Sequence, residues 1–109
     1  MTEKNVRELV LAHEQVILPD RVKGINAVVQ YYLTGDEGGD WVVTIQDGTC
    51  KVREGIVDNP RITLTVDASI FRDILLGRMD GMAAFMQGKV SVRGDLMLGM
   101  KLIDLFKLT

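Results

Sequence analysis

The sequence predicts an α+β fold in which helices pack on one face of a five-stranded, mostly antiparallel sheet. Apolar and β-branched runs at 25–34, 41–46 and 49–53 are separated by short glycine-containing loops, which predicts a three-stranded meander. Residues 61–67 alternate strictly between apolar and polar, and three aspartates precede helical stretches further on. The predicted order is a helix, four strands, two helices, a fifth strand and a last helix, a mixture typical of α+β domains.

The first segment predicts a helix over residues 2–17. Thr2 is in position to be its N-cap. One helix face is formed by Val6, Leu9, Val10 and His13. Pro19 interrupts this pattern, and a further helical turn is expected before Gly24.

Turn residues separate the predicted strands. The run GDEGGD at 35–40 predicts a hairpin loop, because glycine adopts positive φ without steric cost. The Asp47-Gly48 pair predicts a two-residue hairpin between the second and third strands. A crossover segment at 54–60 follows, and Pro60 opens the fourth strand. In that strand Ile62, Leu64 and Val66 face one side, and Thr63 and Thr65 face the other.

Capping residues mark the ends of the predicted helices in the second half of the chain. Asp67 or Ser69 caps a helix that ends at Gly77. Asp80 caps a second, shorter helix that ends at Gly88.

The fifth strand is predicted at 89–93, with Val90 and Val92 pointing inward. Gly94 provides a turn, and Asp95 caps the last helix.

The last helix is apolar nearly all round. Its two apolar clusters are Leu96, Met100 and Ile103 on one side and Leu98, Leu102 and Leu105 on the other. A surface helix needs only one apolar stripe to pack on a sheet. The second stripe therefore predicts a further cover: another layer, a partner subunit or a lipid. Gly99 costs this helix about 1 kcal/mol relative to alanine, which indicates close packing or room for a ligand.

The length and composition of the chain limit the classes of protein to which it can belong. A chain of 109 residues predicts one domain, residues 1–109. A net charge of −2 argues against a nucleic-acid partner, which would need a basic patch. No apolar stretch is long enough for a membrane helix, and the N-terminal residues do not resemble a signal peptide. The single cysteine, Cys50, suits a reducing compartment, so a cytoplasmic location is expected.

The sequence lacks the residues that catalysis or metal binding would need. One histidine and one cysteine, His13 and Cys50, do not make a zinc site, and a Ser-His-Asp triad would have to recruit the same histidine. The acidic residues at 36–40 lack the ligand spacing of a calcium loop, and the glycines at 81 and 88 are too far apart for a phosphate loop. We therefore expect no enzyme activity, no metal and no cofactor.

Five of the six methionines fall within the twenty-two residues 79–100, near several aromatic and aliphatic side chains. Methionine is flexible and polarisable, so it fills irregular core gaps or lines a pocket that accepts varied apolar shapes. The pattern alone leaves both interpretations open.

The run FMQGKVSVRGD at 85–95, followed by apolar residues to Leu102 and Phe106, resembles the signature of the sterol carrier protein-2 (SCP2) sterol-binding domain family. In that family a small helix ends in Gly-Lys, a short strand follows, and Gly-Asp opens an apolar last helix. Upstream features agree with this resemblance: Gly39-Asp40-Trp41, the Asp47-Gly48 turn and Asn59-Pro60. The resemblance covers about residues 22–107. We expect the chain to differ from the peroxisomal members in having neither their targeting tripeptide nor a fused enzyme domain.

The resemblance implies an apolar tunnel between helices and sheet that takes up sterols, fatty acids or acyl-CoAs. Together with the methionine cluster it assigns the tunnel lining to ten residues: Phe71, Leu75, Met79, Met82, Phe85, Met86, Met97, Met100, Ile103 and Phe106. A carboxylate or phosphate head group is expected at the tunnel mouth, near Arg78, Lys89 or Lys101.

The predicted function is non-enzymatic binding and transfer of a lipid. The alternative is an accessory or dimerising module of a lipid-handling pathway, with the surplus apolar face of the last helix as its interface. A thioester hydrolase ranks third, because only scattered carboxylates are candidates for its base. The expected partners are a lipid or other apolar small molecule, a membrane in transient contact, and either no partner chain or a second copy; no nucleic acid is expected.

Overall fold

The computed structural model describes residues 5–12, 14 and 24–105, with side chains as far as Lys101. Its elements in chain order are α1 (Val6–Leu11), β1 (Ala27–Thr34), β2 (Gly39–Gln46), β3 (Thr49–Glu54), β4 (Ile62–Asp67), α2 (Ala68–Leu75), α3 (Gly81–Met86), β5 (Val90–Gly94) and α4 (Leu96–Leu105). This is the predicted order of elements. All strand boundaries lie within two residues of the predicted ones. The strand β2 begins two residues early, at Gly39, inside the predicted hairpin loop.

The five strands form one sheet in the order β3-β2-β1-β4-β5. Every neighbouring pair is antiparallel except the central pair, β1 and β4, which is parallel and runs from Val29 opposite Ile62 to Thr34 opposite Asp67. Because β3 lies at one edge and β4 lies beside β1, the segment 55–61 crosses the sheet. The predicted α+β class and the mostly antiparallel sheet are confirmed.

The hairpin between β2 and β3 is the one that the sequence predicts. Asp47 has φ 53° and Gly48 has φ 77°. Positive φ at both central residues is the signature of a type I′ turn, whose twist matches that of the flanking strands. Aspartate tolerates this conformation better than most residues, since its short polar side chain can bond locally.

The helices pack on one face of the sheet. Alternate residues of β4 point to this face, where Ile62, Leu64 and Val66 are at most 5% exposed. Thr63 and Thr65 are half-buried on the other face, so the predicted alternation is confirmed. Side chains from α1, α2 and α4 join the same apolar core as the strands.

The first helix differs from the prediction at its start. Asn5 has extended backbone, and its side chain accepts a hydrogen bond from the Glu8 backbone N–H at 2.8 Å. Asn5 is therefore the N-cap, and the predicted Thr2 cap was wrong, because the helix begins four residues later. Val6, Leu9 and Val10 are buried as predicted. The helix α1 ends at Leu11, with Ala12 as its C-cap. His13 and residues 15–23 lie outside the described residues.

The crossover segment covers part of the opposite face of the sheet around one buried polar side chain. Gln30 is 0% exposed. Its Nε2 donates to the carbonyl oxygens of Gly55 at 3.0 Å and Trp41 at 3.1 Å, and its Oε1 accepts from the Val57 backbone N–H at 2.9 Å. A single amide thus ties the crossover segment to two strands.

Candidate functional site

The helix α2 brings two predicted lining residues onto the sheet. Asp67 caps the helix and accepts a hydrogen bond from the Ser69 backbone N–H at 2.9 Å. This start places Phe71 and Leu75, one turn apart, against the core, 7% and 3% exposed. The Phe71 ring packs edge-on against Tyr31 of β1, with ring centroids 5.3 Å apart.

The short helix α3 and the turn before it add half-buried apolar side chains. Asp80 is the N-cap, as predicted, and accepts from the Ala83 backbone N–H at 3.2 Å. Met79 and Phe85 are partly buried and pack against the core. Met82 is half-buried. These three side chains lie between the buried core and solvent.

The buried side of α4 packs very closely on the sheet. Asp95 is the predicted N-cap, and its Oδ1 accepts from the Leu98 backbone N–H at 3.0 Å. Leu98 is 6% exposed. A Cβ atom on Gly99 would lie 2.6 Å from Ile62 Cδ1 and 3.0 Å from a methyl of Val92. Close packing is therefore the reason for glycine at this position.

The other side of α4 is exposed and apolar. Met97 is 76% exposed, and Leu96 and Met100 are 43% and 37% exposed. Met86, the last residue of α3, is 80% exposed. The predicted surplus of apolar surface on the last helix is thus present in the described part of the chain.

The structure brings together some of the ten predicted lining residues and separates others. Four are buried in the core or pack against it, Phe71, Leu75, Met79 and Phe85, and a fifth, Met82, is half-buried. Three, Met86, Met97 and Met100, lie on exposed sides. Ile103 and Phe106 fall outside the residues whose side chains are described. The assignment to a tunnel stays a prediction for all ten.

Two open clefts lie elsewhere on the described surface. One, of about 330 Å³, lies where β1 begins and β2 ends, beside Asn59 and Arg61. The other, of about 290 Å³, lies beside Arg7, Glu37 and Trp41. Neither cleft is lined by a residue assigned to the tunnel.

Burial suppresses the ionisation of two core side chains. Burial, and less strongly the nearby Glu14 carboxylate, raises the pKa of the Cys50 thiol to about 12. The pKa of the Tyr31 phenol is also raised, chiefly by burial. A thiol with so high a pKa is a poor nucleophile at neutral pH. Cys50 is therefore suited to packing rather than to covalent chemistry.

The three predicted head-group partners differ in their surroundings. Arg78 forms an ion pair with Asp73 at 3.7 Å. Lys89 and Lys101 are exposed. Among the described residues, no group of three or more His, Cys, Asp or Glu side chains is placed to hold a metal ion. In the same residues no helix has the length and apolar character needed to cross a bilayer.

Sequence reasoning did not single out Gln30. Its signal is visible in the run AVVQYYL, where one polar residue interrupts an apolar strand. A buried polar side chain must be hydrogen-bonded, but the partner segment is distant in sequence and so could not be named.

The family model of the SCP-2 sterol transfer family matches residues 8–107. Among curated proteins, the chain is 29% identical over 98 residues to hydroxysteroid dehydrogenase-like protein 2 of Xenopus tropicalis. The match covers 89% of this chain and 24% of that protein, so the chain spans about a quarter of the relative's length.

Solved structures agree with the family match in fold. The crystal structure of sterol carrier protein 2 like 2 (SCP2-L2) from Aedes aegypti superposes with a TM-score of 0.76 and 25% identity, covering 92% of both chains. The solution structure of palmitated SCP2L2 from the same species gives a TM-score of 0.77 and 24% identity, covering 97% of this chain and 95% of that one.

Proposed function

The chain belongs to the SCP-2 sterol transfer family, and from this premise we propose that it binds a fatty acid, fatty acyl-CoA or sterol and carries it without catalysing a reaction. The family match over residues 8–107 is the observation that carries the proposal. The buried Cys50, with its raised pKa, supports the non-enzymatic part, because it is poorly suited to act as a nucleophile.

The ligand site lies between α2, α3 and the helix-covered face of the sheet. Phe71 and Leu75 line its buried side. The half-buried Met79, Met82 and Phe85 line the side nearer to solvent. Methionine changes rotamer at low cost, so these side chains can part around an acyl chain. We assign Ile103 and Phe106 to the same site from the sequence alone.

Burial of the acyl chain supplies the binding free energy. Each buried methylene contributes about 0.8 kcal/mol, so a chain of about twelve methylenes contributes on the order of 10 kcal/mol before costs. Lost translational freedom and side-chain ordering offset several kcal/mol of this. The expected Kd is about micromolar, which permits both uptake and release.

Titration with a fluorescent fatty acid tests this function. The purified protein should bind it saturably, and Met82→Glu should weaken binding about tenfold or more, because a carboxylate would then border the acyl chain. Ile56→Glu is the matched control, since Ile56 is 60% exposed on the crossover segment. Circular dichroism on both variants verifies the fold. Absence of saturable binding by the unaltered protein would reject the carrier function.

A second candidate function is an accessory or dimerising module that transfers no ligand of its own. The exposed apolar side of α4 favours it, as does the curated relative in which the matched region is about a quarter of a larger protein. Analytical ultracentrifugation separates the two functions. A tight dimer disrupted by Met97→Gln, together with no lipid binding, supports the module and contradicts the carrier.

We place the carrier in the cytoplasm. The sequence supports a reducing compartment, because it contains one cysteine and so no internal disulfide. Cell fractionation tests this placement, and recovery of the protein from an oxidising compartment or an organelle would contradict it.

A further inference from the structure

The smaller of the two open clefts lies where α1 and β2 begin and β3 ends, and its volume is about 290 Å³. We call it the Trp41 cleft. Pockets for small molecules start at about 300 Å³, so this one suits a small ligand or one group of a larger one. It is lined by Asn5, Arg7, Glu37, Gly38, Gly39, Trp41 and Glu54.

The most deeply buried side chain of the cleft carries a hydrogen-bond donor without a protein partner. Trp41 is 5% exposed. Its backbone oxygen accepts a hydrogen bond from Gln30, but no hydrogen bond among the described residues uses its indole N–H. The N–H of a buried tryptophan usually has a partner. Because Trp41 lines the cleft, a molecule bound there can supply this partner.

Gly39 leaves space next to this donor. A Cβ atom on Gly39 would lie 3.2 Å from Trp41 Nε1, and a hydrogen-bond acceptor needs to come within about 2.9 Å of its donor nitrogen. A side chain at position 39 would therefore crowd the acceptor. Gly39 is not among the glycines with positive φ, so its backbone conformation does not require glycine. What glycine provides here is the open space beside the indole.

The charged side chains of the cleft are already paired. Arg7 forms an ion pair with Glu54, and its guanidinium lies over the Trp41 ring, 5.3 Å from the ring centroid. Glu37 forms an ion pair with Arg72 of α2 at 2.6 Å. Two basic and two acidic groups thus balance around the cleft, and a charged ligand would gain no net attraction.

The remaining hydrogen-bonding capacity indicates the class of ligand. An anion would be repelled by Asp36 and Asp40, which are exposed in the neighbouring loop and strand. A cation would face the indole N–H and the guanidinium of Arg7. Each carboxylate, of Glu37 and of Glu54, has more lone pairs than its one ion pair uses. The cleft therefore suits a neutral group that accepts one hydrogen bond and donates another.

We propose that the Trp41 cleft binds an amide group. The carbonyl oxygen of the amide accepts a hydrogen bond from the indole N–H of Trp41, and the amide N–H donates to the carboxylate of Glu37 or Glu54. The same group occurs in the main chain of a peptide and in the pantetheine arm of an acyl thioester. This site is separate from the proposed lipid site, because no residue assigned to the tunnel lines the cleft.

NMR titration with two amide probes, pantetheine and N-acetylglycine N-methylamide, tests the site. The chain has one tryptophan, so the indole N–H gives one resonance. Both probes should shift it saturably, with a Kd of about millimolar for so small a ligand. Acetate and glycerol, which contain no amide, should not shift it. Tighter binding of one probe would identify the natural source as a thioester or a peptide.

Two variants examine the contacts. Gly39→Ala should weaken binding of both probes about tenfold, because its methyl group crowds the indole N–H. Ser91→Thr is the matched control, since it adds one methyl group at an exposed position of β5 and should bind as the unaltered protein does. Trp41→Phe keeps a ring but removes the donor, so the backbone amide resonances of Gly38 and Gly39 should then show about tenfold weaker binding.

Three results would overturn the amide site. The first is that neither amide probe shifts the indole resonance. The second is that acetate or glycerol shifts it as strongly as the amides do, because the cleft would then not select an amide. The third is that Gly39→Ala and Trp41→Phe, with folds verified by their NMR spectra, bind the probes as tightly as the unaltered protein.

Discussion

The side-chain oxygen of Gln30, in the centre of the sheet, accepts a hydrogen bond from the backbone N–H of Val57 at 2.9 Å. The two residues are 27 positions apart, and the bond joins β1 to the segment that crosses the sheet. The Gln30 amide nitrogen donates to the carbonyl oxygen of Gly55 in the same segment. Hydrogen bonds to one fully buried amide therefore hold the segment that connects β3 to β4 on the sheet.

Replacing this amide should destabilise the fold strongly. Gln30→Leu removes the partner of the Val57 N–H and of the carbonyl oxygens that the amide nitrogen contacts, and an unsatisfied buried polar group costs about 1–3 kcal/mol. We expect the free energy of unfolding to fall by about 2–3 kcal/mol, measured by urea denaturation. Gln46→Leu is the control, because Gln46 is exposed at the end of β2. Equal stability of the two variants would contradict the role of Gln30.

Gly99→Ala should also destabilise the protein, although alanine favours a helix by about 1 kcal/mol. The added methyl group would lie 2.6 Å from Ile62 Cδ1, and Ile62 is 0% exposed and has little room to move. Overpacking of this kind costs about 1–3 kcal/mol, so the net loss should be about 1 kcal/mol.

A double-mutant cycle with Ile62→Val isolates that contact. The valine lacks the Cδ1 atom, so Gly99→Ala should be less harmful in the Ile62→Val background than in the unaltered protein. Additive effects in thermal unfolding would show that the Ile62 contact is not the cause.

Local signals in the sequence correctly predicted the N-caps of α3 and α4 and the turn between β2 and β3. Asp80 and Asp95 cap their helices, and Asp47-Gly48 forms the predicted hairpin, because each of these features depends only on neighbouring residues. The parallel pairing of β1 with β4 was not predicted, since nothing within a strand names its distant neighbour.

The orientation of the last helix was equally hard to predict. With apolar residues nearly all round, its pattern predicts two contacts but not which side faces the sheet. In the structure the side of the helix that carries Gly99 faces the sheet, because a residue without a side chain allows the helix to approach Ile62. The family resemblance and the methionine cluster assigned Met97 to the same tunnel as Leu75. Met97 is 76% exposed in the structure, and its place in the tunnel stays a prediction.

Cys50 should react slowly in the folded protein. Burial and the Glu14 carboxylate raise its pKa to about 12, so the reactive thiolate is scarce at ordinary pH. At about pH 8, the thiol should resist Ellman's reagent until guanidinium unfolds the chain, and one equivalent should then react. Rapid labelling of the folded protein would contradict its burial.

Acid should destabilise the fold by protonating the Asp67 carboxylate, which caps the helix α2. Hydrogen bonds from the Ser69 hydroxyl and backbone N–H hold the pKa of Asp67 below its ordinary value of 3.8. A carboxyl group with a lowered pKa stabilises the fold above the unfolded pKa, and this contribution is lost as the pH falls through the folded pKa.

Asp67→Asn separates the charge of this cap from its hydrogen bond. Asparagine caps helices about as well as aspartate but does not titrate. The variant should match the unaltered protein in urea denaturation near neutral pH and lose less stability between about pH 5 and pH 2. Identical pH profiles would show that Asp67 contributes nothing to acid sensitivity.

Paramagnetic NMR with a spin-labelled fatty acid tests the central claim most directly, since it locates the acyl chain. Stearate carrying a nitroxide near its methyl end should broaden the methyl resonances of the buried Leu75 and the half-buried Met82, and leave Ile56, across the sheet, sharp. Broadening of Ile56, or of residues around the two open clefts, with Leu75 and Met82 unaffected would contradict a ligand site between the helices and the sheet.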